Sequence, residues 1–220
     1  MSQLRKAGGL SALVEAACYL LGFAMLVTVF NPADSDAWSQ AQKLEFILER
    51  KALFQIWIII IYVVFGVALV VLTAALHQLL NPVAPELMMV ATPFGLIWAG
   101  LVIASGMVAT VGLDMVADTY LQNVDEAVQA WSVISTVQDG LGGGVELVGG
   151  LWVLLLSIAG RRGEDGLPKA IVYIGLFVGC AGVLTIVPAL GGLGAVFGLS
   201  QIVWFVFVGV VLIRQEDAQL

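Results

Sequence analysis

The chain holds a single histidine, His77, and only two cysteines, Cys18 and Cys180, both inside apolar runs. One imidazole makes neither a zinc cluster nor bis-histidine haem ligation. It also leaves no Ser–His pair within the apolar spans for acyl transfer. No lysine lies in the interior of an apolar run, which removes Schiff-base chemistry there. The stretch "GLGGG" lacks the lysine and the flanking strand of a phosphate-binding loop. The cysteines read as small packing residues rather than a disulfide framework. Charge is scarce: 11% of residues carry one, against about 25% in an average soluble domain, too few to cover a water-facing surface. No cofactor, metal or catalytic residue is expected, and enzymatic activity is not.

Hydrophobic residues make up 60% of the 220, and the mean hydropathy is +1.03, so a membrane class is nearly forced. Six runs, near 10–30, 53–76, 90–112, 141–159, 168–188 and 193–213, are long enough to cross a hydrocarbon core of about 30 Å as helices. Continuous apolar runs exclude the alternating pattern of a barrel. The expectation is an all-α polytopic membrane bundle in one domain over 1–220, with six transmembrane helices and two outer amphipathic segments. Arg5, Lys6, Arg161, Arg162, Lys169 and Arg214 lie on one side of these spans, and only Lys43, Arg50 and Lys51 on the other. This bias places both termini in the cytoplasm. The first run, too long for a signal peptide and without a cleavage site before "NPADSDA", is expected to stay. The net charge of −7, concentrated in two loops, argues against a nucleic-acid partner.

In the first outer segment, Asp36 or Ser35 is placed to cap a helix carrying Ala37, Ala41, Leu44 and Leu48 on one face. In the second, Leu121, Val124, Val128 and Trp131 recur at helical spacing. Each segment fits either a helix on the outer leaflet or a lid on the bundle. Trp57, Trp98, Tyr120 and Trp131 are expected as interfacial anchors, with Trp152 and Trp204 deeper. Gly175 with Gly179, Gly194 with Gly198, and Gly95 with Ala99 form small-xxx-small pairs suited to close helix packing.

Two acids fall inside the spans. An intramembrane carboxylate is costly when charged and is a functional candidate by default. Around Glu146, positions 142, 143, 149 and 150 are all glycine, so helical spacing sets the acid on a small-residue stripe that faces protein. Glu15 has Ser11, Ala12, Cys18, Tyr19 and Gly22 on its face, and Tyr19 is placed to hydrogen-bond the carboxyl one turn back. Both acids follow a double glycine, "GGLSALVEA" and "GGGVELVGG", as two inverted three-helix halves would require. Equally, both lie near a helix start, where the dipole favours a carboxylate. Asp114, Asp118 and Asp139, at the outer boundary, read as solvated loop charges or caps.

The stretches "YLLGF", "ERKALFQIW" and "GGGVELVGGLWVLLLSIAG", with the six-span layout, resemble an uncharacterised family of bacterial membrane proteins, the domain of unknown function 4386. The resemblance implies a helical bundle in the bacterial cytoplasmic membrane and transfers no activity and no catalytic residues. Two function classes stand. One is a non-enzymatic membrane subunit, sensor or binding module. The other is a small proton-linked carrier using Glu146 and Glu15. Expected partners are membrane lipid, a protein partner or second copy of the chain, and a small apolar ligand.

Overall fold

A computed structural model describes residues 2–32, 34–143, 146–162 and 166–217, and among these every regular element is helical. Helix α1 (Ser2–Met25) runs into a π-helical turn (Leu26–Phe30). A short α2 (Gln40–Glu49) follows, then α3 (Lys51–Ile58), a second π turn (Ile59–Val64) and α4 (Phe65–Leu80) in one rod. Next come α5 (Pro85–Tyr120), α6 (Val124–Gln138), a kinked turn (Asp139–Gly143), α7 (Leu147–Gly160), α8 (Lys169–Leu184) and α9 (Leu193–Asp217).

Among the described residues, four helical stretches are long and apolar enough to cross a membrane, Gln3–Phe30, Lys51–Leu80, Pro85–Tyr120 and Leu193–Arg214, and a fifth candidate, Val124–Gly160, is interrupted at the kink around Gly142. The sixth apolar helix, Lys169–Leu184, has 16 residues. At 1.5 Å per residue it spans about 24 Å, short of a hydrocarbon core. The long helices α1, α4, α5, α7, α8 and α9 pack in a closed ring in chain order, α9 returning to α1. Large apolar side chains such as Val67, Met89, Val111 and Phe177 cover the outside of the ring, as lipid contact requires. The chain is a membrane protein built from several apolar helices.

Two glycine-lined seams bring backbones together. A Cβ at Gly150 would stand 2.6 Å from Val183 N and 2.9 Å from Gly179 O, and one at Gly179 would stand 2.9 Å from Gly150 O. Helices α7 and α8 therefore touch backbone to backbone. Gly9 and Gly209 do the same between α1 and α9. The expected packing role of Gly175 and Gly179 is met, whereas a Cβ at Gly194 would meet nothing within 4 Å. Gly194 faces open space, so its small size serves something other than helix contact.

At 36 residues, α5 is about 54 Å long and projects beyond the rest of the ring at one end, here the cap end. Helix α6 folds back along it, and α2 lies across both. Leu44, Val116 and Ala127 form the centre of this cap, with Leu48, Val128, Trp131 and Ile134 around them. The outer helices thus pack as a lid on protein. The second outer segment is not one helix: α5 continues through Tyr120, Asn123 caps α6, and Leu121 stands in the turn between them, 86% exposed. In the first, the cap is Ser39 rather than Asp36 or Ser35. Its Oγ accepts from Gln42 N (3.3 Å), while its own N–H donates to Gln42 Oε1 (2.8 Å), a complete capping box. Ser35–Ala37 forms a separate 3₁₀ turn. Replacing Ser39 with alanine is expected to cost about 1 kcal/mol of α2 stability. The check is hydrogen exchange, which should quicken across 40–49 while the ring helices keep their protection.

Candidate functional site

Two π turns, after α1 and between α3 and α4, and the kinked turn between α6 and α7 reach one cavity. Leu26, Ile61 with Tyr62, and Gly142 line a space of about 430 Å³ beneath the cap, between α1, the α3–α4 rod, α5, the α6–α7 junction and the start of α9. π-Helical turns are uncommon and cluster at functional sites, because the extra residue re-aims side chains along an otherwise regular helix. Nothing in residue type or spacing marks an i→i+5 turn, and the sequence reading missed them.

The walls are aromatic. Tyr19, Phe23, Trp57, Tyr62, Phe65 and Trp98 face the cavity. Below them lies a closed circuit of rings, Phe65–Trp98–Trp152–Trp204–Phe205 and back to Phe65, with centroids 5.5 to 6.0 Å apart. Such edge and tilted contacts are the favoured aromatic geometries, and they make a rigid floor across the ring interior. Trp57 and Trp98 are therefore not interfacial anchors. Trp98 is 2% exposed, held between Phe65, Trp152 and Phe197. The reason is helix length: α5 begins at Pro85, so Trp98 lies more than three turns inside it.

Glu146 is the one charged side chain in the cavity wall among the described residues. It does not lie mid-helix on a glycine stripe. The helix breaks before it: Gly142 has φ +145°, a conformation that L side chains rarely adopt, and α7 starts only at Leu147. Glu146 precedes that start, its N–H donating to Thr185 Oγ1 (2.9 Å), while Thr185 Oγ1 donates to Gly182 O (2.7 Å). Its side chain caps nothing. Gly149 and Gly150 keep their packing role against Trp98 and α8, while the surroundings of Gly143 lie outside the described residues. The junction is pinned from the other side, where Ser105 Oγ donates to Gln138 O (2.9 Å) and Gln138 Nε2 donates to Tyr62 Oη (3.1 Å).

Tyr19 reaches the cavity but not Glu15. Its ring packs on Phe23, Phe65 and Phe205, and neither carboxyl oxygen of Glu15 has a hydrogen-bond partner among the described residues. Glu15 is fully buried, one turn beyond the cavity residues Cys18 and Tyr19. Gly8 faces Ala75 and Gly22 faces Ile61, so α1 and α4 run antiparallel and Glu15 falls midway, at the level of Ala68. Gln201, buried on the neighbouring α9, likewise has both side-chain polar atoms unpartnered. The structure thus brings Glu146 and Tyr19 to one cavity and sets Glu15 just beneath it.

The boundary acids belong elsewhere. Asp114 pairs with Lys51 Nζ (2.7 Å) and accepts from Gln55 Nε2 (2.9 Å), tying α3 to α5. Asp118 is exposed, and Asp139, also exposed, begins the kinked turn between α6 and α7. His77 Nδ1 lies 2.7 Å from Thr92 Oγ1 and links α4 to α5. Among the described residues, no group of three or more metal-ligating side chains converges. No family model, curated protein or solved structure matches the chain.

Proposed function

We propose that this membrane protein is a non-enzymatic binding module whose working site is the aromatic cavity under the cap, taking one small amphipathic molecule. The carrying observation is the convergence of two π turns and the glycine kink at Gly142 on a space walled by six aromatic rings and a single carboxylate. Ligand sites are commonly apolar concavities with a few placed polar groups.

The reading includes six crossings in a bacterial cytoplasmic membrane, with both termini inside. Support for α8 as the sixth comes from its seam with α7, where Gly150 meets 179–183 and Gly160 meets Leu167. That contact runs along most of α7, and Pro188 with the turn to α9 adds length. Arg5, Lys6, Arg161, Arg162, Lys169 and Arg214 at the end opposite the cap support the orientation. Lipid is the first partner; a protein partner or second copy would meet the cap.

Gly194→Leu tests the site. A Cβ there meets no atom within 4 Å, and the residue lines the cavity, so leucine projects into the space and obstructs it without straining α9. The thermal midpoint should equal or exceed that of the wild type, since leucine is the better helix former. A small bromine-bearing probe, 4-bromobenzyl alcohol, should quench tryptophan fluorescence saturably in the wild type, through Trp57 and Trp98, and without saturation in Gly194→Leu. Identical quenching curves would remove the cavity from the account.

A second reading, a proton-linked carrier, is favoured by one observation: Glu15, buried and unpartnered, lies one turn from the cavity wall. A carboxyl that can take up a proton there would couple to cavity occupancy.

A further inference from the structure

From the chemistry of the cavity wall we infer that the ligand is a small organic cation, an amine or quaternary ammonium on an apolar body. This rests on the proposed binding function and specifies its ligand class. Three observations converge. First, the cavity wall carries one carboxylate, Glu146, and no lysine, arginine or histidine among the described residues. The Glu146 side chain is half-buried and makes no cap, and among the described residues no ion pair reaches it. A carboxylate in an apolar wall gains most from a cation that enters with the ligand.

Second, Tyr19, Phe23, Trp57, Tyr62, Phe65 and Trp98 surround the same space. The faces of such rings attract cations, most strongly where water is excluded, and quaternary ammonium groups are commonly held by aromatic cages. The hydrocarbon portion of the ligand meets Leu26, Ile61 and Val102.

Third, the cap is negatively charged. The cap segments 34–51 and 114–139 carry nine acids (Asp34, Asp36, Glu45, Glu49, Asp114, Asp118, Asp125, Glu126, Asp139) against three bases (Lys43, Arg50, Lys51), an excess of six out of the chain's net −7. A field of that sign above the cavity raises the local concentration of cations and repels anions.

The test is equilibrium dialysis of the purified full-length protein in mild detergent, with empty micelles as the blank. The probes are benzyltrimethylammonium and its neutral isostere neopentylbenzene, which carries carbon in place of nitrogen. The wild type should bind the cation more tightly than the isostere. Glu146→Gln, which keeps the backbone bond to Thr185, should weaken the cation roughly tenfold or more and leave the isostere unchanged. Gly194→Leu should abolish both. Equal affinity for the two probes, or a Glu146→Gln protein that holds the cation as tightly as the wild type, would overturn the charge assignment while leaving a binding cavity. Binding of both probes unaltered by Gly194→Leu would overturn the cavity reading itself.

Discussion

Gly150→Ala should destabilise the bundle by about 3 kcal/mol, the upper part of the range for overpacking. The added methyl would lie 2.6 Å from Val183 N, 2.7 Å from Gly182 C and 2.9 Å from Gly179 O. These are backbone atoms of α8, so no side-chain rotation relieves the contact, and α7 and α8 must separate along their seam. Separation also loosens Gly182 from Phe197, which belongs to the aromatic packing around Trp98. The same substitution at Gly100, on the lipid-facing side of α5, meets nothing within 4 Å and should stabilise by up to about 1 kcal/mol through helix propensity. Thermal or denaturant unfolding of the pair reads the difference. Equal midpoints for the two variants would show that the α7–α8 seam is not backbone-tight.

Glu15→Met should stabilise the fold by about 1–3 kcal/mol, the usual penalty of a buried polar group left unpaired. Both carboxyl oxygens lack a partner, the side chain is fully buried, and the register sets it beside Ala68 on a wall that continues through Leu69 and Leu72. Methionine has a similar unbranched shape and no polar atoms to satisfy. A residue that costs stability is retained for some other reason, which gives the substitution its functional content. If the protein is a proton-linked carrier, Glu15→Met loses flux in proteoliposomes while its unfolding midpoint rises. If the protein only binds, cavity occupancy is unchanged. A fall in the midpoint would mean that Glu15 is satisfied in the membrane and is structural.

The all-helical architecture was legible because apolar run length follows directly from bilayer thickness. The helical spacing of Leu44, Leu48, Val128 and Trp131 likewise marked faces that do pack together in the cap. The site was legible only in outline. Glu146 stood out as an acid among glycines, but glycine has two uses that spacing does not separate. Gly149 and Gly150 lack a Cβ so that neighbours can approach, whereas Gly142 supplies a backbone angle of φ +145° that breaks the helix and turns the acid into the cavity. Position along a run also misled for Trp57 and Trp98, because helices that overrun the bilayer carry residues near the run's start into the interior. Ser39 escaped notice because Asp36 and Ser35 offer equally good caps, and the 3₁₀ turn at Ser35–Ala37 decides which is used.

The central claim is that the cavity under the cap holds a small molecule, and native mass spectrometry of protein released gently from its membrane tests it most directly. Wild-type chains should carry one small positively charged molecule, retained at low collision energy, and Gly194→Leu chains of unchanged stability should carry none. A wild type that leaves the membrane empty and stays empty when benzyltrimethylammonium is added would contradict it. So would an adduct that Gly194→Leu keeps.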